Sequence, residues 1–193
     1  MNEATKTEAA PHPIKDAIVR AIKGTGDVFT ATLEVVSGTM VAGLKGTAKV
    51  GGAAARAASE VTRAGLDAAL EAGSDLGHVV KGIVVGVLRG TGETGEAALA
   101  TVSRTARTVI RHTAKAGGDL AAATQGLVRA GVHAAKELGV DAAKAASASG
   151  QSALDAAHEL GAAAAEKVRG ALSATIDGVK VIFVEPPQNK DKK

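Results

Sequence analysis

The stretch GGDLAAATQGLVRAGVHAAKELGVDA, residues 117–142, contains one full period of the pattern that decides the fold. Each end carries a glycine followed two residues later by an aspartate, Gly117 with Asp119 and Gly139 with Asp141. Between these ends the apolar residues recur at helical spacing and no proline intervenes. The stretch therefore predicts amphipathic helix.

The same spacing of 22 residues extends along most of the chain in both directions. Steps of 11 residues from Ile22 to Ile176 never meet a polar residue, and 11 residues make three helical turns at about 3.67 residues per turn. We therefore predict amphipathic helices with a broad apolar face of small residues. At steps of 22, one series consists of bulky aliphatic residues, Ile22, Leu44, Leu66, Leu88, Ile110, Val132, Leu154 and Ile176. A second series consists of glycines, Gly51, Gly73, Gly95, Gly117, Gly139 and Gly161.

The glycine series leaves two all-α architectures open. Glycine often ends a helix and aspartate often begins one, so GSDL (73–76), GGDL (117–120) and GVDA (139–142) predict turns between antiparallel helices. The unbroken register favours long extended helices instead, in which the same glycines would let helices approach closely. The 22 glycines between residues 29 and 182 make isolated helix less stable than alanine would, by roughly 20 kcal/mol in total. Other helices, a second chain or a lipid surface must therefore cover the apolar face.

Composition divides the chain into three parts. We predict a disordered tail over residues 1–12, the helical repeat region over 13–180, and a short apolar segment with a polar tail over 181–193. VKVIFV (179–184) fits a short strand, an apolar latch against the helices, or a frayed end. The N-terminal residues lack the apolar core of a signal peptide, and no stretch is apolar enough to span a membrane. A cytoplasmic protein, peripheral to a membrane, droplet or granule, is the expected localisation.

The motifs that would support an enzyme are weak. GTGETG (90–95) fits the dinucleotide pattern G-x-G-x-x-G, but this pattern needs a preceding strand, and Gly95 already belongs to the glycine series. His133 and Glu137 share a helix face without a third ligand, whereas zinc needs three or four. The chain has no cysteine, no P-loop ending and no G-x-S-x-G elbow. We expect no catalytic residue, metal or cofactor.

One charge cluster stands out. Arg104, Arg107, Arg111 and Lys115 are spaced three, four and four residues apart on one helix face, and no acid occurs between Glu96 and Asp119. This stripe predicts contact with phosphate groups of lipid headgroups or nucleic acid, with a merely solvated face as the alternative. The absence of aromatic neighbours argues against base stacking, and a net charge of +3 is too balanced for a general nucleic-acid binder.

The repeat also has a resemblance to known proteins. GLKGTAKVGGAAARAASEVTRAG (43–65) is rich in Ala, Gly, Val, Thr and Lys and carries the amphipathic repeat most clearly. It resembles the lipid-surface helices of perilipins, alpha-synuclein and exchangeable apolipoproteins over residues 14–180, although the prolines that punctuate apolipoprotein repeats are replaced by glycine. Late-embryogenesis-abundant proteins share the 11-residue style, and phasins do so more loosely. The resemblance implies helices whose apolar face lies on a lipid or granule surface.

Two functions follow from the same face. The first is coating of a lipid or granule surface, in which the bulky series inserts most deeply and the basic stripe meets anionic headgroups. The alternative is structural self-assembly into a bundle, a right-handed coiled coil or a filament. A stress protectant of the late-embryogenesis-abundant type ranks lower because mean hydropathy is slightly positive, at +0.12. The expected partner is therefore lipid or a second copy of the chain, and not a specific nucleic acid.

Overall fold

Helices make up most of the part of the chain described by the computed structural model, residues 13–45, 50–139 and 141–184. This confirms the predicted all-α class. Within these ranges there are eight helices and no strand: α1 (Pro13–Thr25), α2 (Val28–Leu44), α3 (Val50–Ala72), α4 (Leu76–Thr91), α5 (Gly95–Lys115), α6 (Leu120–Leu138), α7 (Ala142–Leu160) and α8 (Ala162–Leu172). The predicted tails over 1–12 and 185–193 lie outside the described residues.

Aspartate side chains begin four of these helices. Each carboxylate accepts backbone N–H groups of the first turn, which have no partner within the helix. These bonds run to Asp27 from Thr30 (3.1 Å), to Asp75 from His78 (3.0 Å), to Asp119 from Ala121 and Ala122 (2.8 and 3.1 Å), and to Asp141 from Lys144 (2.7 Å).

Five members of the glycine series lie at or just beyond helix ends, and Gly51 is the second residue of α3. The other five have a positive φ, a left-handed conformation that costs other residues energy because of their Cβ atoms. A Cβ atom built on any of these five would meet no atom within 4 Å, so the glycines are not points of close helix approach. Their φ angles are 61° at Gly73, 58° at Gly95, 72° at Gly117, 66° at Gly139 and 117° at Gly161.

Alternate helices lie side by side and form two layers. The even layer consists of α2, α4, α6 and α8, each in contact with the next. In the odd layer, α3 contacts α5 and α5 contacts α7, while α1 packs on both α2 and α3. Each helix also contacts its neighbour along the chain, so the core lies between the two layers.

Glycines outside the 22-residue series bring α2 and α4 together. A Cβ atom at Gly82 would lie 2.8 Å from Cβ of Thr32, and one at Gly86 would lie 2.8 Å from Cγ1 of Val36. One turn further on, Gly90 packs against Met40. Residue numbers rise together along this contact, so α2 and α4 run in the same direction. The glycines at 82, 86 and 90 therefore let two backbones meet at a distance that alanine would not permit.

The bulky 22-residue series forms much of the core. Leu66, Leu88, Ile110 and Leu154 are at most 1% exposed. The other members are Ile22, Val132 and Ile176, all buried, and Leu44, which is partly buried against the same core. In this fold the residues expected to insert most deeply into lipid are covered by the protein's own helices.

The segment after α8 is not helical and lies along α7. Val181 is buried against Gly150, while the neighbouring Ile182 and Val184 are 75% and 73% exposed. The backbone N–H of Ile182 donates to Oγ of Ser147 at 3.1 Å. Gln151 of α7 accepts from the N–H of Val184 at 2.7 Å and donates to its carbonyl at 3.0 Å. Polar side chains of α7 thus hold the backbone of residues 181–184 in place.

Candidate basic groove between helices 3 and 5

A groove opens where α3 and α5 pass each other in the odd layer. The facing side chains of α3 are small, chiefly Ala54, Ala55, Ala58 and Ser59, and they leave a cavity of about 280 Å³ against α5. Two further cavities, of about 530 and 490 Å³, adjoin it and share lining residues with it. We call these three adjoining cavities the α3–α5 groove.

The groove contains the predicted basic stripe. Arg104, Arg107 and Arg111 line the first cavity, and Arg111 continues into a second one beside Lys115. The fold therefore brings all four residues of the stripe to one groove rather than leaving them on an isolated helix face.

Helix α3 adds basic residues that were absent from the sequence prediction. Arg63 lines the groove together with Arg111 and Lys115, and Arg56 lines the adjoining cavity on α3. Arg63 precedes Arg107 by 44 residues, which is twice the 22-residue spacing predicted from the sequence. That spacing is informative only because alternate helices are neighbours in the fold.

Hydrogen bonds hold parts of the groove in place. Nη2 of Arg104 donates to Oγ1 of Thr101 at 2.7 Å, and this hydroxyl in turn donates to Glu93. Arg111 pairs with Glu159 of α7. Arg104 and Arg111 are thus oriented by neighbours at one edge of the groove while their guanidinium groups still line it.

Two hydroxyl groups of the groove already donate to the backbone. Oγ of Ser59 donates to the carbonyl of Ala55 at 3.0 Å, and Oγ1 of Thr108 donates to the carbonyl of Arg104 at 3.1 Å. The guanidinium groups are therefore the main donors that remain for a ligand. Within the described part of the chain, no acid pairs with Arg63, Arg107 or Lys115.

The charge balance of the groove favours an anion. Its lining contains six basic side chains and one carboxylate, that of Glu60. Arginine presents planar, always charged donor groups that match phosphate and carboxylate oxygens. The six basic residues are Arg56, Arg63, Arg104, Arg107, Arg111 and Lys115.

A second polar cluster joins the helices of the even layer. Nζ of Lys81 lies 4.4 Å from the centre of the Phe29 ring, and the His133 ring meets Phe29 edge-on at 5.5 Å. Burial, aided by the charge of Lys81, lowers the pKa of His133. Its Nε2 lies 3.3 Å from Glu137, and the hydrogen bond from Arg89 holds the pKa of that carboxyl below its usual value. These contacts link α2, α4 and α6.

The other sequence motifs lie at structural positions. Gly90 packs on α2, Gly92 ends α4 in a left-handed conformation, and Gly95 begins α5, so helix rather than strand precedes GTGETG. Among the described residues, no group of three or more His, Asp or Glu side chains is placed to hold a metal ion.

Comparison with known proteins finds no matching family model, no similar curated protein and no similar solved structure. Among the described helices, none combines the length and the apolar character needed to cross a bilayer. The groove therefore has to be interpreted from its own chemistry.

Proposed function

We propose that this chain is a non-enzymatic helical-repeat protein that attaches to an anionic lipid surface through the α3–α5 groove. The observation that carries the proposal is the groove's lining, six basic side chains and one acidic one. Lipid phosphates attract such clusters, at about 1 kcal/mol for each Lys or Arg near the surface. The lining of the groove contains no Phe, Tyr or Trp side chain, which disfavours single-stranded nucleic acid as the partner.

We further propose that each unit of 22 residues supplies one helix and one turn of an array of antiparallel hairpins. The left-handed glycines between helices support this arrangement, as does the contact of α2 with α4 in one direction. Two ion pairs between alternate helices, Arg89–Glu137 and Arg111–Glu159, each span 48 residues, which is two repeats plus one helical turn. Arg129 and Asp177, 3.7 Å apart, follow the same spacing.

Attachment through the groove differs from coating through the apolar face. The bulky series is buried, so insertion of Leu66 or Ile110 into lipid would require the two layers to separate. Attachment through arginine side chains would leave the helices as they are. The groove mode therefore predicts no gain of helicity on vesicles, whereas the insertion mode predicts a change in tertiary structure.

The test measures binding of the full chain to vesicles of anionic and of neutral lipid by co-sedimentation, at rising salt. We expect binding to anionic vesicles only, weakening as salt screens the charges. Arg104→Gln combined with Arg107→Gln should weaken binding roughly thirtyfold, because it removes two charges at about 1 kcal/mol each near the surface. The matched control is Lys136→Gln, an exposed lysine of α6 outside the groove.

Far-ultraviolet circular dichroism with and without vesicles completes this test. Unchanged helicity with charge-dependent binding supports the groove mode. Equal binding by the arginine variant and the Lys136 variant would refute it, and loss of tertiary structure on vesicles would favour insertion of the apolar face.

Self-association is the second candidate. The observation that favours it is the exposure of Ile182 and Val184 on a segment that is hydrogen-bonded to α7. Exposed apolar side chains that lie together mark sites of contact with another protein. Sedimentation velocity over a range of concentrations should show a dimer or larger species that Ile182→Ser with Val184→Ser removes. A monomer at all concentrations would exclude this candidate.

A further inference from the structure

The first cavity of the α3–α5 groove penetrates between helices. Its walls include Ala54, Ala58, Thr101 and Thr105, each at most 9% exposed. A ligand group that enters it therefore loses much of its contact with water. The apolar wall comes from α3 and the charged wall from α5, so a group bound here would have one charged side and one small-residue side.

Arg104 and Arg107, two of the three arginines that line this cavity, have no ion pair with an acid within the described residues. No acidic residue lines the cavity, while the carboxylates of Glu93 and Glu159 bond to its lining residues Thr101 and Arg111. Arg111 shares its charge with Glu159, whereas Arg107 has no ion-pair partner within the described residues. A phosphomonoester has a charge of about −1.5 to −2 at neutral pH, spread over three terminal oxygens. A phosphodiester has one negative charge, spread over two oxygens.

We propose that this cavity is a binding site for a phosphomonoester group, with Arg104 and Arg107 as its principal donors. The proposal rests on the proposed attachment to anionic surfaces and names the chemical group that the groove selects. A volume of about 280 Å³ is small for a ligand site, and it fits a phosphate with a short polyol rather than a nucleotide. The group can come from a lipid headgroup such as that of phosphatidic acid or from a soluble sugar or glycerol phosphate.

The selectivity test compares two kinds of vesicle matched in surface charge. One contains phosphatidic acid, whose headgroup is a phosphomonoester, and the other contains phosphatidylglycerol, a phosphodiester. We expect the full chain to bind the phosphatidic acid vesicles roughly tenfold more tightly, the effect of one additional charge-assisted hydrogen bond. Soluble glycerol 3-phosphate should compete for this preference, whereas glycerol should not.

A variant that fills the cavity without changing charge tests the site itself. Ala55→Leu places a larger side chain in the first cavity and leaves every arginine in place. It should abolish the tenfold preference and retain general binding to anionic vesicles. Ala143→Leu, at an exposed position of α7 outside the groove, is the matched control. If the Ala55→Leu variant does not fold, Ala55→Val, which adds less volume and also leaves every arginine in place, is used instead.

The outcomes separate this inference from the proposed function. Equal binding to both charge-matched vesicles overturns the phosphomonoester site and leaves attachment through the groove standing. Absence of binding to any vesicle overturns the attachment. Titration calorimetry with glycerol 3-phosphate then tests the site without a membrane. Heat of binding to the unmodified chain that is absent with the Ala55→Leu variant supports a site for a soluble phosphomonoester. Absence of heat with the unmodified chain overturns the inference as well.

Discussion

The contact between α2 and α4 and the groove between α3 and α5 are equivalent pairs of alternate helices, yet they differ in packing. Glycines on α4 let the first pair meet at backbone distance, against Val36 and Met40. In the second pair, alanines on α3 face arginines on α5, and cavities remain between the helices. The effect of small residues thus depends on what they face. Where they face an apolar side chain, the helices pack closely, and where they face a long charged side chain, space for a ligand remains.

The largest expected effect tests the close contact. Gly86→Leu should lower the free energy of unfolding by about 3 kcal/mol, because the new side chain overlaps Val36 and the carbonyl of Leu33. Gly38→Leu on α2 is the matched control, since a Cβ atom there meets nothing within 4 Å. That control should be stabilised by up to about 1 kcal/mol through helix propensity. Urea unfolding at constant pH measures both, and equal stability of the two variants would contradict the contact.

The next effect concerns the glycine series. Gly73→Leu should lower the free energy of unfolding by about 1–2 kcal/mol, because Gly73 has a φ of 61°. The loss should be no larger, because the space around its Cβ position is open. Gly73→Asn should cost less, since asparagine tolerates the left-handed conformation. A loss for Gly73→Leu as large as that for Gly86→Leu would show that Gly73 is a packing position and not a turn. Thermal melts would show shifts of roughly 2–4 °C per kcal/mol for a chain of this size.

A smaller effect depends on pH. The backbone N–H of His78 lowers the pKa of Asp75 below its ordinary value of 3.8, so the ionised carboxylate stabilises the fold. Asp75→Ala should cost about 1 kcal/mol at neutral pH, the typical value of a helix N-cap. Because the pKa of Asp75 is lower in the folded than in the unfolded protein, its ionised carboxylate raises the free energy of unfolding above about pH 4. This contribution is lost as the pH falls through the folded-state pKa. The melting temperatures of the unmodified chain and of Asp75→Ala should therefore converge between pH 7 and about pH 2. A constant difference between them would exclude a role for the charge.

The smallest effect compares ion pairs of the two layers. A double-mutant cycle on Arg89 and Glu137 should give a coupling of about 0.5–1 kcal/mol, because two hydrogen bonds join the partners. The pair of Arg111 and Glu159 in the odd layer should give less, since these side chains are 50% and 56% exposed. A larger coupling in the odd layer would mean that Arg111 is committed to Glu159 and is not available to a ligand.

Much of the candidate site was predictable from the sequence, but the residues opposite the stripe were not. The spacing of Arg104, Arg107, Arg111 and Lys115 is enough to place them on one helix face. Arg63 could not be assigned to the same site, because its proximity depends on which helices become neighbours. The close-packed glycines at 82, 86 and 90 escaped prediction for the same reason, since they belong to no 22-residue series.

The sequence by itself determined that the chain is helical, which residues share the apolar face, and where charge is concentrated. These properties are local, because helical periodicity places side chains on a face without reference to the rest of the molecule. The tertiary structure alone decided what covers that face, since lipid, a second chain and neighbouring helices all satisfy the same apolar surface. It also decided which glycines permit close packing and which lie open at helix ends, because this depends on the atoms that another helix brings to each position.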